Sequence, residues 1–440
     1  MSRTFALAFA TLAACGASSP TSPDARDADP IADAPPPNAA PTVAYLARAG
    51  TIAIDQLLPQ TAAIDLGPDI AVGALTPDVS AGTTAVAFTV APTAALGPRD
   101  VIITDGATRA TIAGALTVRP SMAVAITGTP ERGQLLAIDA TSLVPDVVHG
   151  AAPFQLDPDL LVVPDSLVGT EHEQVLIAPG ATLGPRRLIN TVLDLPPNFA
   201  TGPDALAITD ATPRALVIGD GDTGPREPYA TAAYHGEIAQ PAIVAIDGTA
   251  PGRRATGWLF HGAGRAADLL GYRNGVGPWG DDRDFFSFEV PVAAGGEPLD
   301  LIAYDGVVAR GGDGLALRVE VIPVTPIAQT PGHGTLGTAQ PADACATACI
   351  LTGTLQPGET QVFVVGPRDG LGGNAEWTLG LEAESGVDVH VGGGAQLFEN
   401  GGGVVRPRER ESDGNYTAPF PIILRAGTLP VTYALSLRRS

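Results

Sequence analysis

Residues 88–100 read FTVAPTAALGPRD, and residues 175–187 read VLIAPGATLGPRR. The two stretches align without a gap and share the pattern Ala-Pro-x-Ala-x-Leu-Gly-Pro-Arg. Because Leu96 matches Leu183, the copies are offset by 87 residues. A repeat of that length is too long for a solenoid and suits a β-sandwich of about seven strands. The two motifs therefore predict two tandem β-sandwich domains.

The residues around the first motif follow the two-residue period of β-strands. Large apolar and small residues alternate over residues 86–90, which predicts a strand with one face in a core. Leu96-Gly97-Pro98 interrupts this pattern, and the residues VIIT at 101–104 resume it before the turn signal Asp105-Gly106. This order of strand, Gly-Pro bend, strand and turn resembles the immunoglobulin-like IPT/TIG domains of bacterial surface proteins.

The resemblance covers residues 42–119 as a first immunoglobulin-like domain and residues 120–213 as a second, less similar one. It implies spacers or binding modules without conserved catalytic machinery. Arg99 and Arg186 occupy equivalent positions in the two motifs. We expect both to be structural, donating hydrogen bonds to turn carbonyls beside the Gly-Pro bend.

The pattern changes in the C-terminal half. Residues 214–235 are rich in Gly, Asp and Pro and are predicted to form a linker. The stretch DRDFFSFEV at 282–290 opens a series of alternating strands that resembles the bacterial pre-peptidase C-terminal domain over residues 236–384. That resemblance implies a jelly-roll-like β-sandwich with an accessory role, such as secretion, solubility or carbohydrate contact. Residues 385–440 are predicted to be a C-terminal β-extension that packs on it.

The composition agrees with an all-β fold, here tandem immunoglobulin-like β-sandwiches followed by a jelly-roll-like one. The 440 residues include 53 Gly and 41 Pro, a frequency of helix breakers that disfavours a helical bundle. Every basic residue is Arg, so chemistry that needs a lysine is excluded. The net charge of −22 argues against partners that are nucleic acids or anionic lipids.

The N-terminal residues predict that the protein is located in the bacterial envelope. Residues 1–14 combine Arg3, a short apolar stretch and small residues before Cys15, and they resemble the signal peptide and lipobox of bacterial lipoproteins. That resemblance makes Cys15 the lipidated first residue of the mature chain, although an ordinary secretory signal containing a cysteine is the alternative. Residues 15–41 are rich in Pro and Asp and predict a disordered tether. We expect a protein anchored by lipid to the outer membrane, facing the periplasm or the cell surface.

The remaining cysteines and two acidic clusters are the candidate structural sites. Cys345 and Cys349 are predicted to form a small disulfide loop in this oxidising compartment, with free thiols or a metal site as alternatives. Hard oxygen ligands for a structural Ca²⁺ are offered by two groups of aspartates, although such residues also cap turns. The groups are Asp220 with Asp222, and Asp281 with Asp282 and Asp284. We expect no other cofactor.

No complete catalytic motif is present in the sequence. Asp222-Thr223-Gly224 lacks the second copy and the preceding apolar strand of an aspartic protease, and His172-Glu173 lacks the second His of a zincin. We therefore expect a non-enzymatic envelope protein that serves adhesion, ligand binding or structural display, with a glycan or an envelope protein as partner. An accessory or catalytic subunit of a secreted hydrolase is the alternative. The candidate residues for stacking on a glycan are Trp258, Trp279 and Trp377, although Trp377 is in phase with Leu379, which favours a core position for it.

Overall fold

A computed structural model provides the fold. It describes a set of ranges that omits the N-terminal 35 residues and several internal segments: residues 36–145, 154–155, 159–163, 172–190, 199–223, 231–250, 254–273, 285–306, 315–342, 345, 347–365, 377–383, 387–391, 395–398, 408–409 and 420–439. Within these ranges the chain is β-structure with two short 3-10 turns, Ala266–Asp268 and Leu336–Thr338. The predicted all-β class with tandem sandwiches is confirmed. No helix among the described residues is long and apolar enough to cross a membrane.

The strands group into four successive sandwiches, here called units 1 to 4. Unit 1 packs the sheet β1-β7-β6-β3 on the sheet β2-β5-β4, and β1 runs parallel to β7. Alternating side chains of both sheets, such as Ile52, Val86 and Val101, are fully buried between them. The strands of unit 1 are β1 (Thr42–Tyr45), β2 (Ala49–Ile54), β3 (Ala63–Asp65), β4 (Ile70–Asp78), β5 (Thr83–Val90), β6 (Gly97–Asp105) and β7 (Thr108–Arg119).

Unit 2 contains the second copy of the repeated motif. Its largest sheet has the order β11-β12-β9-β8, and two smaller sheets are β10-β14-β15 and β13-β16. Its strands are β8 (Met122–Thr127), β9 (Leu135–Ser142), β10 (Phe154–Gln155), β11 (Leu160–Val162), β12 (His172–Ile177), β13 (Gly184–Arg186), β14 (Ile189–Asn190), β15 (Phe199–Ala200) and β16 (Leu206–Ile208).

The two motifs build the same bend in units 1 and 2. Gly97 and Gly184 have φ of 112° and 106°, a region that favours glycine. Arg99 donates a hydrogen bond from Nη2 to the carbonyl of Ala95 at 2.8 Å, and Arg186 reaches the carbonyl four residues before it in the same way. The structural role expected for both arginines is confirmed.

The two motifs differ at their last residue, and in unit 2 that residue contacts unit 1. Asp100 of unit 1 accepts a hydrogen bond from the Gly114 backbone at 2.8 Å, whereas the matching residue of unit 2 is Arg187. The Arg187 guanidinium reaches the carbonyls of Pro92 and Ala94 in the bend of unit 1. The motif of unit 2 is therefore hydrogen-bonded to the motif of unit 1.

The sheets divide residues 214–440 differently from the boundaries drawn from the sequence. Unit 3 has the sheets β17-β19-β24-β21-β22 and β18-β25-β20-β23. The described parts of the predicted linker include the first two strands of unit 3 and the start of the third, so these parts belong to a sandwich. The strands of unit 3 are β17 (Arg214–Ala215), β18 (Gly219–Thr223), β19 (Thr231–Ile238), β20 (Ala242–Thr249), β21 (Arg254–His261), β22 (Leu269–Arg273), β23 (Phe285–Val292), β24 (Glu297–Gly306) and β25 (Ala316–Pro323).

Unit 4 crosses the predicted boundary at residue 384. The C-terminal strand β35 lies between β28 and β30 in the sheet β26-β28-β35-β30-β33, and the facing sheet is β27-β29-β34-β31-β32. The described strands of residues 385–440 thus contribute to both sheets of one sandwich. Its strands are β26 (Pro326–Ala328), β27 (Gln340–Pro341), β28 (Ala348–Leu355), β29 (Thr360–Val365), β30 (Trp377–Ala383), β31 (Val387–Val391), β32 (Ala395–Phe398), β33 (Arg408–Glu409), β34 (Phe420–Ala426) and β35 (Val431–Arg439).

The structure contains a disulfide between Cys345 and Cys349. Their Cα atoms are 4.7 Å apart, and both residues are buried in the core of unit 4. The loop that the bond closes leads directly into β28, so it fixes the start of a central strand of the unit.

Candidate ligand-binding cleft

Units 3 and 4 pack with two sheets face to face. Ile243 of unit 3 and Ile350 and Ala434 of unit 4 form a small apolar cluster between them. Gly380 lies so close to unit 3 that a Cβ atom there would be 2.1 Å from the carbonyl oxygen of Glu289. Close approach of backbone to backbone requires glycine at this position.

A buried ion pair crosses the same interface. Arg438 of β35 donates from Nε to Glu289 Oε2 of β23 at 3.1 Å and from Nη1 to Glu320 Oε2 of β25 at 2.8 Å. The side chain of Glu289 is completely buried, whereas that of Glu320 is 46% exposed. A charge taken out of water in this way is stable only with its partner in place.

A cleft of about 640 Å³ lies between the two units. On the unit 4 side it is lined by Thr352, Thr354, Thr432 and Glu382. Thr352 pairs with Ala434 and Thr354 with Thr432, so period-2 alternation places these side chains on one face of the sheet. The Thr354 and Thr432 hydroxyls are 3.2 Å apart and exposed.

On the unit 3 side, His261 lies between two carboxylates. Its Nδ1 is 2.8 Å from Oε1 of Glu382, which belongs to unit 4, and its Nε2 is 3.1 Å from Oε2 of Glu297. The three side chains are 23–27% exposed. The same wall includes Asp268 and an apolar patch of Leu269, Leu270 and Ala293.

The electrostatics of this group follow from burial and proximity. The hydrogen bond to Glu382 raises the pKa of His261 above its ordinary value, burial opposes this shift, and the negative charges of Glu382 and Glu297 add to the rise. Burial raises the pKa of Glu297, and the neighbouring His261 offsets part of this shift. The site therefore retains protons that free side chains would release.

The chemistry of the lining favours some ligands over others. No arginine is among the described residues that line the cleft, and its three carboxylates repel anions. The threonine hydroxyls can both donate and accept hydrogen bonds, and carboxylates accept them strongly. Glu297 and Glu382 both engage His261, and Asp268 Oδ2 accepts from the Arg265 backbone at 2.9 Å. The arrangement suits recognition of hydroxyl groups.

The proposed calcium ligands stay predictions. Asp220 and Asp222 lie in strand β18, paired with Arg318 and Leu317 at a register shift, and their side chains lie outside the described structure. Asp281, Asp282 and Asp284 also lie outside the described residues. Across the described ranges, no group of three His, Cys, Asp or Glu residues is arranged to hold a metal ion.

The tryptophans predicted to stack on a glycan are not in this cleft as far as they are described. Trp258 is 2% exposed and packs with residues of units 2 and 3, so its assignment as a stacking residue is wrong. Trp279 and Cys15 lie outside the described residues, as does the side chain of Trp377.

Sequence reasoning missed the residues that form the cleft. His261 and Glu382 are 121 positions apart, and nothing in the local sequence of either indicates the other. The one signal was the threonine content of the strands in unit 4, which is also typical of exposed sheet faces.

Comparisons with known proteins show similarity to multi-domain β-proteins. No family model matches the chain. No curated protein matches it either. Among solved structures, it is similar to the mixed-linkage glucan utilization protein SGBP-B of Bacteroides ovatus, in complex with a heptasaccharide. The identity is 12%, over 61% of this chain and 73% of that chain, with a TM-score of 0.14.

Two titin structures are also similar. The tandem I9-I11 matches at 9% identity over 66% of this chain and 97% of that chain, with a TM-score of 0.18. Domains A168-A170 match at 10% identity over 63% and 94%, with a TM-score of 0.16. Similarity this distant accompanies the all-β class and carries no argument about function.

Proposed function

We propose that this chain is a non-catalytic, lipid-anchored protein of the bacterial envelope that binds a neutral, hydroxyl-rich ligand of the glycan class in the cleft between units 3 and 4. The observation that supports this proposal is the lining of that cleft, which presents three threonine hydroxyls and three carboxylates, with no arginine among its described residues. Its volume is within the range of roughly 300–1,000 Å³ usual for small-molecule sites. The apolar patch beside Leu270 can cover the non-polar face of a sugar ring.

We expect the full chain to bind neutral oligosaccharides and not acidic ones. A panel of cello-, xylo- and manno-oligosaccharides, with polygalacturonate and heparin fragments as acidic members, is measured by isothermal titration calorimetry. Replacing both exposed hydroxyls, T354V with T432V, should weaken binding about thirtyfold, because each hydrogen bond contributes about 1 kcal/mol and about 1.4 kcal/mol corresponds to a factor of ten.

The matched control for these variants is T108V, which removes an exposed threonine hydroxyl from a strand of unit 1. It should bind like the unchanged protein. Equal affinity for acidic and neutral oligosaccharides, no binding of any neutral oligosaccharide, or unchanged affinity in the double valine variant would each contradict the proposal. Turnover of a bound oligosaccharide would favour a hydrolase instead.

The lipid anchor is tested separately. We expect labelled palmitate to be incorporated in cells at Cys15, and C15S to move the protein from the envelope to the soluble fraction, because a thioether-linked lipid needs the thiol. The variant S19A, in the predicted tether, should remain attached. A wild-type chain without label, or a C15S chain that stays with the envelope, would refute the anchor while leaving the cleft untested by that result.

A further inference from the structure

His261 joins units 3 and 4 through their side chains. His261 and Glu297 belong to unit 3 and Glu382 to unit 4. The imidazole is thus held between carboxylates of both units, at the wall of the cleft. Breaking the contact with Glu382 would remove an ionic link between the units.

The geometry of this contact favours a protonated ring. Both ring nitrogens face carboxylate oxygens, at 2.8 and 3.1 Å. A neutral imidazole has one N–H, so its other nitrogen would direct a lone pair at a carboxylate. Imidazolium donates from both nitrogens and neutralises one of the two negative charges. Among the described residues that line the cleft, the other ionisable groups are Asp268 and the buried Tyr433.

The second ionic link between the units is made by the guanidinium of Arg438. Arginine side chains, unlike histidine, are charged throughout the physiological pH range. Arg438 lies four residues along β35 from Ala434, the strand partner of Glu382, a distance of about 13 Å at the usual rise per residue. Units 3 and 4 are therefore held at one place by a permanent charge and at another by a titratable one.

From these contacts we propose that His261 is a proton-controlled latch that holds units 3 and 4 together at the cleft and releases them when it loses its proton. For the ligand of the cleft this rests on the proposed function, because the latch then controls access to the binding site. The Arg438 contact keeps the units attached while the cleft side opens.

The direction of the pH effect follows from proton binding. The pKa of His261 is raised above 6.5 in the folded protein, so its stabilising contribution is complete below pH 6.5 and is lost as the pH rises through the raised value. The pKa of Glu297 is raised above 4.5, so the folded state also favours the protonated form of that carboxyl. The His261 shift depends chiefly on Glu382 of unit 4, so protonation of His261 favours the closed cleft on the acidic side.

The test measures the separation of the units without a ligand. Spin labels are placed on exposed positions of unit 3 and unit 4 by Gln240→Cys and Leu429→Cys in the full chain with C15S, and their distance distribution is recorded by double electron–electron resonance. At pH 5.5 we expect a narrow distribution, and at pH 8.5 a broader one shifted to longer distances. H261Q should give the broad distribution at both pH values.

The matched control is H235Q, because His235 also contacts a carboxylate, Asp300 at 2.7 Å, but within unit 3 alone. It should keep the pH response. A distribution that is independent of pH, or unchanged by H261Q, would overturn the latch. The oligosaccharide titrations at both pH values distinguish the two proposals. Opening without any oligosaccharide binding leaves the latch and rejects the proposed function, whereas binding without opening does the reverse.

Discussion

Replacing Arg438 with methionine should lower the free energy of unfolding by about 3–5 kcal/mol, the usual cost of removing one partner of a buried ion pair. The variant removes the Arg438 guanidinium from the carboxylate of Glu289, whose side chain is completely buried. Methionine keeps much of the side-chain volume, so the loss reports the charge rather than a cavity. Urea unfolding monitored by circular dichroism gives the free energy.

Two further variants make this prediction specific. E320Q removes the exposed partner of the same arginine and should cost less than about 1 kcal/mol, since exposed ion pairs contribute little. The double variant E289M/R438M removes both buried charges and should recover most of the stability lost in R438M. A loss in R438M no larger than that in E320Q would show that this pair is not effectively buried.

The parts of this fold that could be predicted are those that patterns among neighbouring residues in the sequence determine. The alternation of residues 86–90 and the Gly-Pro bend are local, and they were sufficient for the first sandwich. The match between Leu96 and Leu183 extended that prediction to the second. In each case the side-chain period and the bend are set by neighbouring residues.

The division of the C-terminal half could not be obtained in this way. Strand β35 pairs with β28 and β30. Val431 of β35, for example, pairs with Leu355 of β28, which is 76 positions earlier in the chain. Alternating strands look the same whichever sheet they join, so the boundary at residue 384 was placed without information on pairing. The Gly-rich segment before Thr231 similarly contains short strands that only their partners in unit 3 stabilise.

The candidate site was less predictable than the fold. Its residues come from strands of two units, and their common position depends on how those units pack. Trp258 was predicted to bind a glycan because an aromatic ring can stack on a sugar. An aromatic residue can equally form a core, and its strand position alone did not decide between the two roles.

The variant W258A decides between these roles. We expect it to lower the free energy of unfolding by about 3–5 kcal/mol, because it removes a large buried side chain and leaves a cavity. Trp258 is 2% exposed, lies 6.4 Å from the ring of Tyr304, and packs in a cluster that contains Leu136 and Val175 of unit 2. Since the cavity opens between units 2 and 3, the radius of gyration from X-ray scattering should increase as the units separate.

The control is F363A, which removes a fully buried ring within the core of unit 4. It should cost a similar free energy without changing the scattering of the folded protein. If Trp258 served glycan binding instead, W258A would lose oligosaccharide affinity while its unfolding free energy and scattering stayed unchanged. We expect the reverse, with affinity retained by the folded fraction, because Trp258 is not among the residues that line the cleft and packs in the cluster between units 2 and 3.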